Sequence, residues 1–148
     1  MILGIGTDII KVSRFEKWQN FSKDQLLRIF SEEELEDCKL KNSENNFCNQ
    51  YNLESLAARF AAKEAFFKAF SSSLVKLNFT QNTFSFIFSC QHACVEKTLF
   101  GVPILKINWK KFENKIERKL PNFDIELSFS HEKDYVVAFV IISKNYQI

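Results

Sequence analysis

One uninterrupted helical segment constrains the fold of this chain more than any other part of its sequence. The segment Leu53 to Phe70, LESLAARFAAKEAFFKAF, is rich in alanine and contains neither glycine nor proline, so its intrinsic helix propensity is high. Large apolar side chains recur along it at helical spacing and form one stripe. We therefore expect a long helix with one face in the core, around which the other elements must pack.

A carboxylate, that of Glu64, lies in the middle of this apolar stripe. A buried charge is costly unless it finds a partner, changes its protonation or coordinates a metal. Lys63 and Lys68 flank the stripe and Arg59 lies further round, so a cation, or a phosphate bound through one, could be held there. The alternative is an i,i+4 salt bridge from Glu64 to Lys68 on the helix surface, which would not explain the position of Glu64 in the stripe.

The beginning of the chain predicts a β-strand that carries a second acidic candidate. Ile2 to Ile10 alternates with a period of two, so that Asp8 shares a face with Gly4 and Gly6. Since glycine has no side chain, we expect open space beside Asp8 in which a ligand could approach. Two carboxylates from separate elements, here Asp8 and Glu64, commonly hold a magnesium ion whose other ligands are waters and phosphates. Asp8 could instead end the strand as a turn or N-cap residue.

Local signals predict several shorter elements. Helix starts are expected where a serine precedes Glu or Gln by three residues, at Ser13, Ser22 and Ser31. Residues 41–52 are polar and aperiodic, which favours a surface loop. The remaining predictions are strands at Thr83–Ser89 and Pro103–Trp109, a short helix through Phe112, Ile116 and Leu120 to Pro121, and a hairpin with arms Asp124–Ser130 and Tyr135–Ile142. Together these elements indicate an α+β fold in which an antiparallel sheet packs against one long helix and several short ones.

Length and composition favour a single domain over residues 1–148. Hydrophobic residues make up 46% of the chain and include 17 Phe, enough for a sizeable core. The formal charge of +2, from 20 basic and 18 acidic residues, does not demand a nucleic acid partner. We expect no membrane span, because the sequence lacks an apolar stretch of about 20 residues. Asp8 within the first strand, with no basic segment before it, also argues against a signal peptide.

The cysteines supply ligand types that zinc uses, but their spacing is not that of a zinc site. They are Cys38, Cys48, Cys90 and Cys94, with His92 between the last two. Thiolates and imidazole are the usual zinc ligands, but the last pair has no matched second pair and the first two straddle a polar loop. We therefore expect reduced thiols in a cytoplasmic protein.

His131 ends the first arm of the predicted hairpin, where a histidine can be structural or catalytic. A serine hydrolase and a P-loop nucleotide-binding protein are both disfavoured, because the sequence has neither a G-x-S-x-G elbow nor a Walker G-x-x-x-x-G-K motif.

Three blocks of residues, in order and separation, resemble the signatures of holo-[acyl-carrier-protein] synthases. The blocks are Gly4-Ile5-Gly6-Thr7-Asp8-Ile9, then Arg59-Phe60-Ala61-Ala62-Lys63-Glu64-Ala65 with Lys68-Ala69-Phe70, and finally Leu127-Ser128-Phe129-Ser130-His131. Weaker agreement occurs at Arg14, at Phe30 to Glu34 and at Gly101-x-Pro103, so the resemblance extends from Met1 to about Ile142.

The resemblance implies a phosphopantetheinyl transferase of fatty acid biosynthesis. Such an enzyme moves the 4'-phosphopantetheine arm of coenzyme A onto a serine of acyl carrier protein and releases adenosine 3',5'-bisphosphate. It implies that Asp8 and Glu64 bind magnesium, which also binds the pyrophosphate of coenzyme A, and that Lys68 stabilises or protonates the departing phosphate. Arg59, Lys63 and His131 become candidates for contacts with the nucleotide phosphates, with His131 also a candidate for catalysis.

The sequence departs from the family after the second block. Ser71-Ser72-Ser73 stands where the family usually has a Gly-Thr-Gly turn. Because serine adopts a positive φ less readily than glycine, we expect a loop of another shape, hydroxyl contacts from Ser71 and Ser72 to phosphate, or weaker binding of coenzyme A.

A basic stripe suggests where a carrier protein could dock. Lys11, Arg14 and Lys17 recur at threes next to Asp8 in sequence, and carrier proteins are acidic. A solvated basic face is the alternative. Family members are typically trimers with the active site between protomers, so the resemblance also implies a homotrimer.

Two other functions remain open at this point. One is a different magnesium-dependent enzyme, such as a small nucleotide hydrolase that uses Asp8 and Glu64. The other is a non-catalytic module that binds an acidic protein or nucleic acid through Lys11, Arg14 and Lys17.

Overall fold

The computed structural model describes residues 1–40, 51–81 and 84–144. The strands of this part of the chain are β1 (Ile2–Lys11), β2 (Ala93–Lys97), β3 (Pro103–Ile107), β4 (Phe123–Glu132) and β5 (Tyr135–Lys144). Its helices are α1 (Lys23–Leu26), α2 (Glu32–Cys38), α3 (Leu53–Lys76), α4 (Phe86–His92) and α5 (Trp109–Ile116), with a 3-10 helix at Val12–Asn20. None of the helices in the three described ranges is both long and apolar enough to cross a membrane.

The main sheet has three antiparallel strands in the order β1-β5-β4, and β2 and β3 form a separate hairpin. Across the sheet Asp8 lies opposite Ala138 of β5, which in turn lies opposite Phe129 of β4. The sheet is two-sided in the alternating manner expected from its sequence. Its inner face carries the buried β5 residues Val136, Ala138, Val140 and Ile142. The predicted α+β class, an antiparallel sheet against one long helix, is confirmed.

Helix α3 packs directly against β1, and two glycines set how close it comes. A Cβ atom added to Gly6 would lie 2.7 Å from Ala69 N and closer still to Ala65 O. One added to Gly4 would overlap Ala69 O in the same way. The expectation of open space beside these glycines is therefore wrong, because backbone atoms of α3 fill it. The glycines serve close packing of a helix on a strand.

Aromatic rings fill the core on the other side of α3. Phe66 and Phe70 of α3 pack on Phe112 and Trp109 of α5, with ring centroids between 5.1 and 6.2 Å apart. Phe84 joins the same cluster, 5.5 Å from Phe112. Phenylalanine side chains thus pack the central helix against its neighbours.

The strand predicted at Thr83–Ser89 is wrong, since its second half belongs to α4. Ser85 is the N-cap of this helix, and its hydroxyl accepts a hydrogen bond from Phe88 N at 3.2 Å. A short apolar run has no period that separates a buried strand from a buried helix, so the cap decides. The capping boxes at Ser22 and Ser31 are both confirmed. The one at Ser13 is wrong, because the 3-10 helix starts directly after Lys11.

Helix α3 is longer than its sequence pattern predicted and continues to Lys76. Ser71, Ser72 and Ser73 therefore lie within the helix, and the loop expected at them is wrong. The Ser73 hydroxyl donates to Ala69 O at 2.9 Å, a bond that a helix tolerates. The left-handed residue comes later, at Asn78 with φ 60°. The loop predicted at 41–52 lies outside the described residues except for Tyr51 and Asn52, and Asn52 caps α3.

Candidate active site

Side chains from β1 and α3 meet at the edge of the main sheet. Asp8 points inward from β1 and its side chain is 9% exposed, whereas the side chain of Glu64, in α3, is 31% exposed. Lys68 lies one turn after Glu64, and its Nζ joins the two acids, 2.9 Å from Asp8 Oδ1 and 3.4 Å from Glu64 Oε1. It also donates to Thr7 O at 3.1 Å. Two carboxylates that are remote in the chain therefore converge on one small volume.

The electrostatics of this cluster are dominated by the two acids around one lysine. Burial alone would lower the pKa of Lys68, but the hydrogen bond and charge of Asp8 and the charge of Glu64 raise it above its ordinary value. Asp8 Oδ2 is buried and lacks a hydrogen-bond partner among the described residues. A buried carboxylate oxygen without a donor is unusual in a folded protein and indicates a missing partner.

The donor set of this cluster fits a hard divalent cation. Asp8 and Glu64 supply oxygen ligands, and one oxygen of Asp8 is unsatisfied. The described ranges contain no group of three or more His, Cys, Asp or Glu side chains that could hold a metal by themselves. Such a site would thus leave coordination positions to water and to phosphate oxygens, which is how magnesium is usually bound in phosphate-transfer enzymes.

Lys63 lies elsewhere, in a buried ion pair. Its Nζ lies 2.8 Å from Glu34 Oε2 and donates to the carbonyls of Cys90 and Ala93 at 2.8 and 2.6 Å. Lys63 is 1% and Glu34 0% exposed. The predicted phosphate contact of Lys63 would require all three of these bonds to break.

Arg59 is also buried, at 2% exposure, on the same side of α3 as Lys63. Its Nη2 binds Asp37 Oδ2 at 3.1 Å, and its Nη1 donates to Ser55 O at 3.4 Å. The guanidinium group thereby ties α3 to α2. Sequence periodicity placed Arg59 near the stripe but could not show that its guanidinium group would bind Asp37.

His131 and the serines lie apart from the acidic pair in this chain. His131 Nδ1 is 2.6 Å from Glu54 Oε1. Glu54 precedes Glu64 by ten residues of α3, about 15 Å along the helix axis. Ser71 and Ser72 lie beyond Lys68 on α3 and are half-buried. Within one chain, His131 at the end of the third block is therefore held away from the acidic pair.

The basic stripe is exposed. Lys11 ends β1, and Arg14 and Lys17 follow in the 3-10 helix, where residues three apart lie above one another. The guanidinium carbon of Arg14 lies 5.6 Å from the ring centroid of Phe60, a cation–π contact that holds it close to α3. The threefold repeat of the 3-10 helix thus places these basic residues along one side of it, as predicted.

Sequence reasoning missed the structural importance of Glu34. It recognised this residue as the third helical position after Ser31, and Glu34 Oε2 does accept from Ser31 N at 2.8 Å. It did not recognise that Oε1 accepts from Val95 N, and that the same carboxylate holds Lys63. A useful signal was the helical spacing of Glu34, which lies four residues from both Phe30 and Cys38 and next to Leu35 and so falls on the apolar face of α2, where an acid needs a cation.

The cysteines show no site in the described ranges. Cys38, Cys90 and Cys94 are free thiols, and Cys48 lies outside those ranges. Burial raises the pKa of Cys38 to about 11 and that of Cys90 to about 12. Both are therefore protonated near neutral pH and are poor metal ligands or nucleophiles.

Comparison with protein families gives a match to the 4'-phosphopantetheinyl transferase superfamily over residues 4–140. Among curated proteins, the chain is 38% identical to the holo-[acyl-carrier-protein] synthase of Ehrlichia chaffeensis over 143 residues, which covers 96% of this chain and 97% of that protein. It is 37% identical to the enzyme of the same name from Borreliella burgdorferi, with 93% and 96% covered.

Solved structures give the same result. The holo-(acyl-carrier-protein) synthase of Bacillus anthracis, in complex with CoA (3',5'-ADP), superposes with a TM-score of 0.64 at 31% identity, covering 98% of this chain and 99% of that one. The Chronobacterium ammoniagenes ACPS-CoA complex superposes with a TM-score of 0.73, covering 97% and 98%. At 20% identity, that second likeness concerns the fold alone.

Proposed function

Because this chain belongs to the 4'-phosphopantetheinyl transferase superfamily, we propose that it carries out the reaction named for its relatives: it transfers the 4'-phosphopantetheine group of coenzyme A to a serine of apo-acyl carrier protein, in fatty acid biosynthesis. The serine hydroxyl passes its proton to solvent as its Oγ forms a bond to the β-phosphorus of coenzyme A, and the bond from that phosphorus to the bridging oxygen breaks, with its electron pair remaining on that oxygen. Adenosine 3',5'-bisphosphate leaves. The reaction takes place in the cytoplasm, where free thiols stay reduced.

The observation that carries this proposal is the convergence of Asp8 and Glu64, with one buried Asp8 oxygen lacking a donor among the described residues. Asp8 and Glu64 would be the protein ligands of magnesium. When bound, magnesium neutralises charge on the diphosphate and orients it for displacement. The two acids come from a strand and a helix that are packed without a gap, so they would hold their geometry without reorganisation during the reaction.

Lys68 is the residue of this cluster that suits a contact with phosphate. It is 44% exposed and its ammonium lies beside both acids, so a diphosphate bound there would be within its reach. In the proposed reaction Lys68 donates to the departing phosphate and stabilises its charge. Ser71 and Ser72 lie one turn further along α3, with hydroxyls available for a phosphate contact.

Arg59, Lys63 and His131 are each paired with an acid outside the Asp8–Glu64 cluster. Arg59 and Lys63 are buried and paired with acids, so they act in the proposal by fixing α3. His131 is 59% exposed and remains a candidate for contact with the nucleotide phosphates or for catalysis, though from a neighbouring protomer.

A homotrimer with the active site between protomers would bring His131 to a partner's acidic pair. Two features support association. His131 is paired with Glu54, far along α3 from Glu64. The outer face of β1 and β5 is apolar and exposed, with Ile5 51%, Ile9 66% and Phe139 41% exposed. A face of this kind is the sort of surface that a second copy covers.

Lys11, Arg14 and Lys17 are the proposed docking surface for the carrier protein. All three are exposed, Lys11 ends β1, and Arg14 and Lys17 lie in the 3-10 helix, which begins at Val12, four residues after Asp8. An acidic carrier domain would thus be steered towards the side of the molecule where the serine has to react.

The decisive experiment incubates the protein with coenzyme A, magnesium and apo-acyl carrier protein, and follows the mass of the carrier by mass spectrometry. The expected result is a gain equal to phosphopantetheine. Asp8→Asn and Glu64→Gln should abolish the gain while the circular dichroism spectrum is retained. Glu32→Gln, which changes an exposed acid paired with Lys23, is the matched control and should transfer normally.

An unchanged carrier mass would refute the transferase and favour the hydrolase alternative. Binding of the carrier that is independent of metal, and is unaffected in Asp8→Asn, would favour the non-catalytic module instead.

A further inference from the structure

The ammonium group of Lys68 occupies the position between the two acids of the candidate site. Its Nζ is bonded to Asp8 Oδ1 at 2.9 Å and to Thr7 O at 3.1 Å, and it lies 3.4 Å from Glu64 Oε1. It is the cation that balances this pair of carboxylates in the structure. The contacts come from two elements, β1 and α3, so they do not reflect a simple i,i+4 helix pair.

A divalent cation that uses both acids has to share the carboxylates of Asp8 and Glu64 with Lys68. Asp8 Oδ2 has no hydrogen-bond partner among the described residues and could bind the cation, but Oδ1 of the same carboxylate is already bonded to the lysine. Glu64 Oε1 is also in contact with it. A cation placed between these oxygens would lie within a few ångströms of the ammonium and would repel it. Both cations cannot keep the same pair of ligands.

Resting on the proposed function, we propose that Lys68 is the resident cation of this site in the metal-free protein, and that a divalent cation binds by displacing it. The side chain is 44% exposed, so its end can leave without disrupting the core. Displacement frees the ammonium for a new partner, and a phosphate bound beside the metal is the partner of matching charge. Lys68 would then hold the two acids in place before the metal arrives and bind phosphate afterwards.

This arrangement has a thermodynamic consequence that does not involve turnover. In the absence of coenzyme A, metal binding has to break the contacts of Lys68, and so the two compete. Lys68→Met keeps the apolar stem and removes the charge. The variant should bind a divalent cation more tightly than the wild type does.

The test measures binding of Mn2+ alone, without coenzyme A, by electron paramagnetic resonance of the free ion. We expect Lys68→Met to bind Mn2+ about tenfold more tightly than the wild type, within the range usual for coupled sites. Lys68→Arg keeps a cation at the position and should stay close to the wild type. Lys76→Met, which removes a lysine two turns further on that donates to Ile2 O, is the matched control and should also be unchanged.

Addition of Asp8→Asn to Lys68→Met should abolish the tight binding, which locates it at this site. Unchanged or weaker Mn2+ binding by Lys68→Met, with the fold intact by circular dichroism, would overturn the inference, because Lys68 would then be irrelevant to the metal or would help to hold it. Lys68→Gln is the second variant should Lys68→Met fail to fold. Absence of Mn2+ binding in every variant would overturn it as well, whereas the mass of the carrier tests the transferase separately.

Discussion

Replacement of Lys63 by methionine should destabilise this protein more than any surface change in the same helix. The ammonium of Lys63 lies between α3, α2 and the start of β2, where it binds Glu34 and the carbonyls of Cys90 and Ala93. Methionine has a similar length but no donor. The variant therefore leaves a buried carboxylate without its cation and two carbonyls without this donor.

The magnitude follows from the burial of the pair. Lys63 is 1% and Glu34 0% exposed, so water cannot replace the lost contacts without opening the structure. Breaking a buried ion pair by removing one partner costs about 3–5 kcal/mol. A domain is stable by only about 5–15 kcal/mol in total, so Lys63→Met should remain folded with much of its margin lost. Glu34 keeps the hydrogen bonds from Ser31 N and Val95 N, which limits the damage.

Urea unfolding followed by circular dichroism measures the loss, and a double-mutant cycle assigns it. Glu34→Gln should be destabilising by itself, since it leaves the ammonium unpaired. The double variant Glu34→Gln/Lys63→Met contains neither uncompensated charge. It should therefore lose less than the sum of the single losses, with a coupling of about 0.5–3 kcal/mol.

Lys106→Met is the matched control for this experiment. Lys106 pairs with Glu96 at 2.8 Å, a distance equal to that of the buried pair, but its side chain is 67% exposed. Exposed pairs contribute little to stability. The reasoning is refuted if Lys63→Met unfolds at the same urea concentration as Lys106→Met, because burial of the pair would then make no difference.

Two further predictions concern packing and pH. Gly6→Ala should lower the stability by about 1–3 kcal/mol in thermal unfolding, since its Cβ would overlap Ala65 O and move α3 off the sheet; a melting temperature equal to that of the wild type would contradict this. Burial raises the pKa of Cys90 from 9.0 to about 12, so the unfolded chain loses this proton first. The contribution of Cys90 to the free energy of unfolding is therefore present below pH 9 and lost as the pH approaches 12. Between pH 9 and 12 the free energy of unfolding of Cys90→Ala should fall less steeply with pH than that of the wild type.

The sequence predicted those parts of the fold that depend on local patterns. The start of α3 at Leu53 and the capping boxes at Ser22 and Ser31 follow from residues within one turn of each other. The hairpin was predicted from alternation over Asp124–Ser130 and Tyr135–Ile142, and the strands extend beyond these bounds to Phe123–Glu132 and Tyr135–Lys144, with the turn at Lys133, where φ is 50°. Such features need no knowledge of the tertiary structure.

Sequence reasoning falls short where a distant element decides. Periodicity placed Lys63 beside Glu64 but could not show that Glu34, from another helix, holds it in the core. The sequence of segment 83–89 is compatible with either a strand or a helix, and the N-cap contact of Ser85 decides in favour of the helix. In both cases the deciding partner is invisible to a pattern along one segment.

The glycines of the first block link the stability of the fold to the geometry of the site. They look like a gap left for a ligand, but the gap is filled by the backbone of α3 at Ala65 and Ala69. Ala65 is the neighbour of Glu64, and Gly6 is two residues from Asp8. Because α3 can approach β1 only where no Cβ intervenes, these glycines set the distance between the strand acid and the helix acid. The absence of a side chain at Gly6, two residues before Asp8, therefore positions Glu64 relative to Asp8. A substitution that pushes α3 away from β1, such as Gly6→Ala, should also separate the two acids.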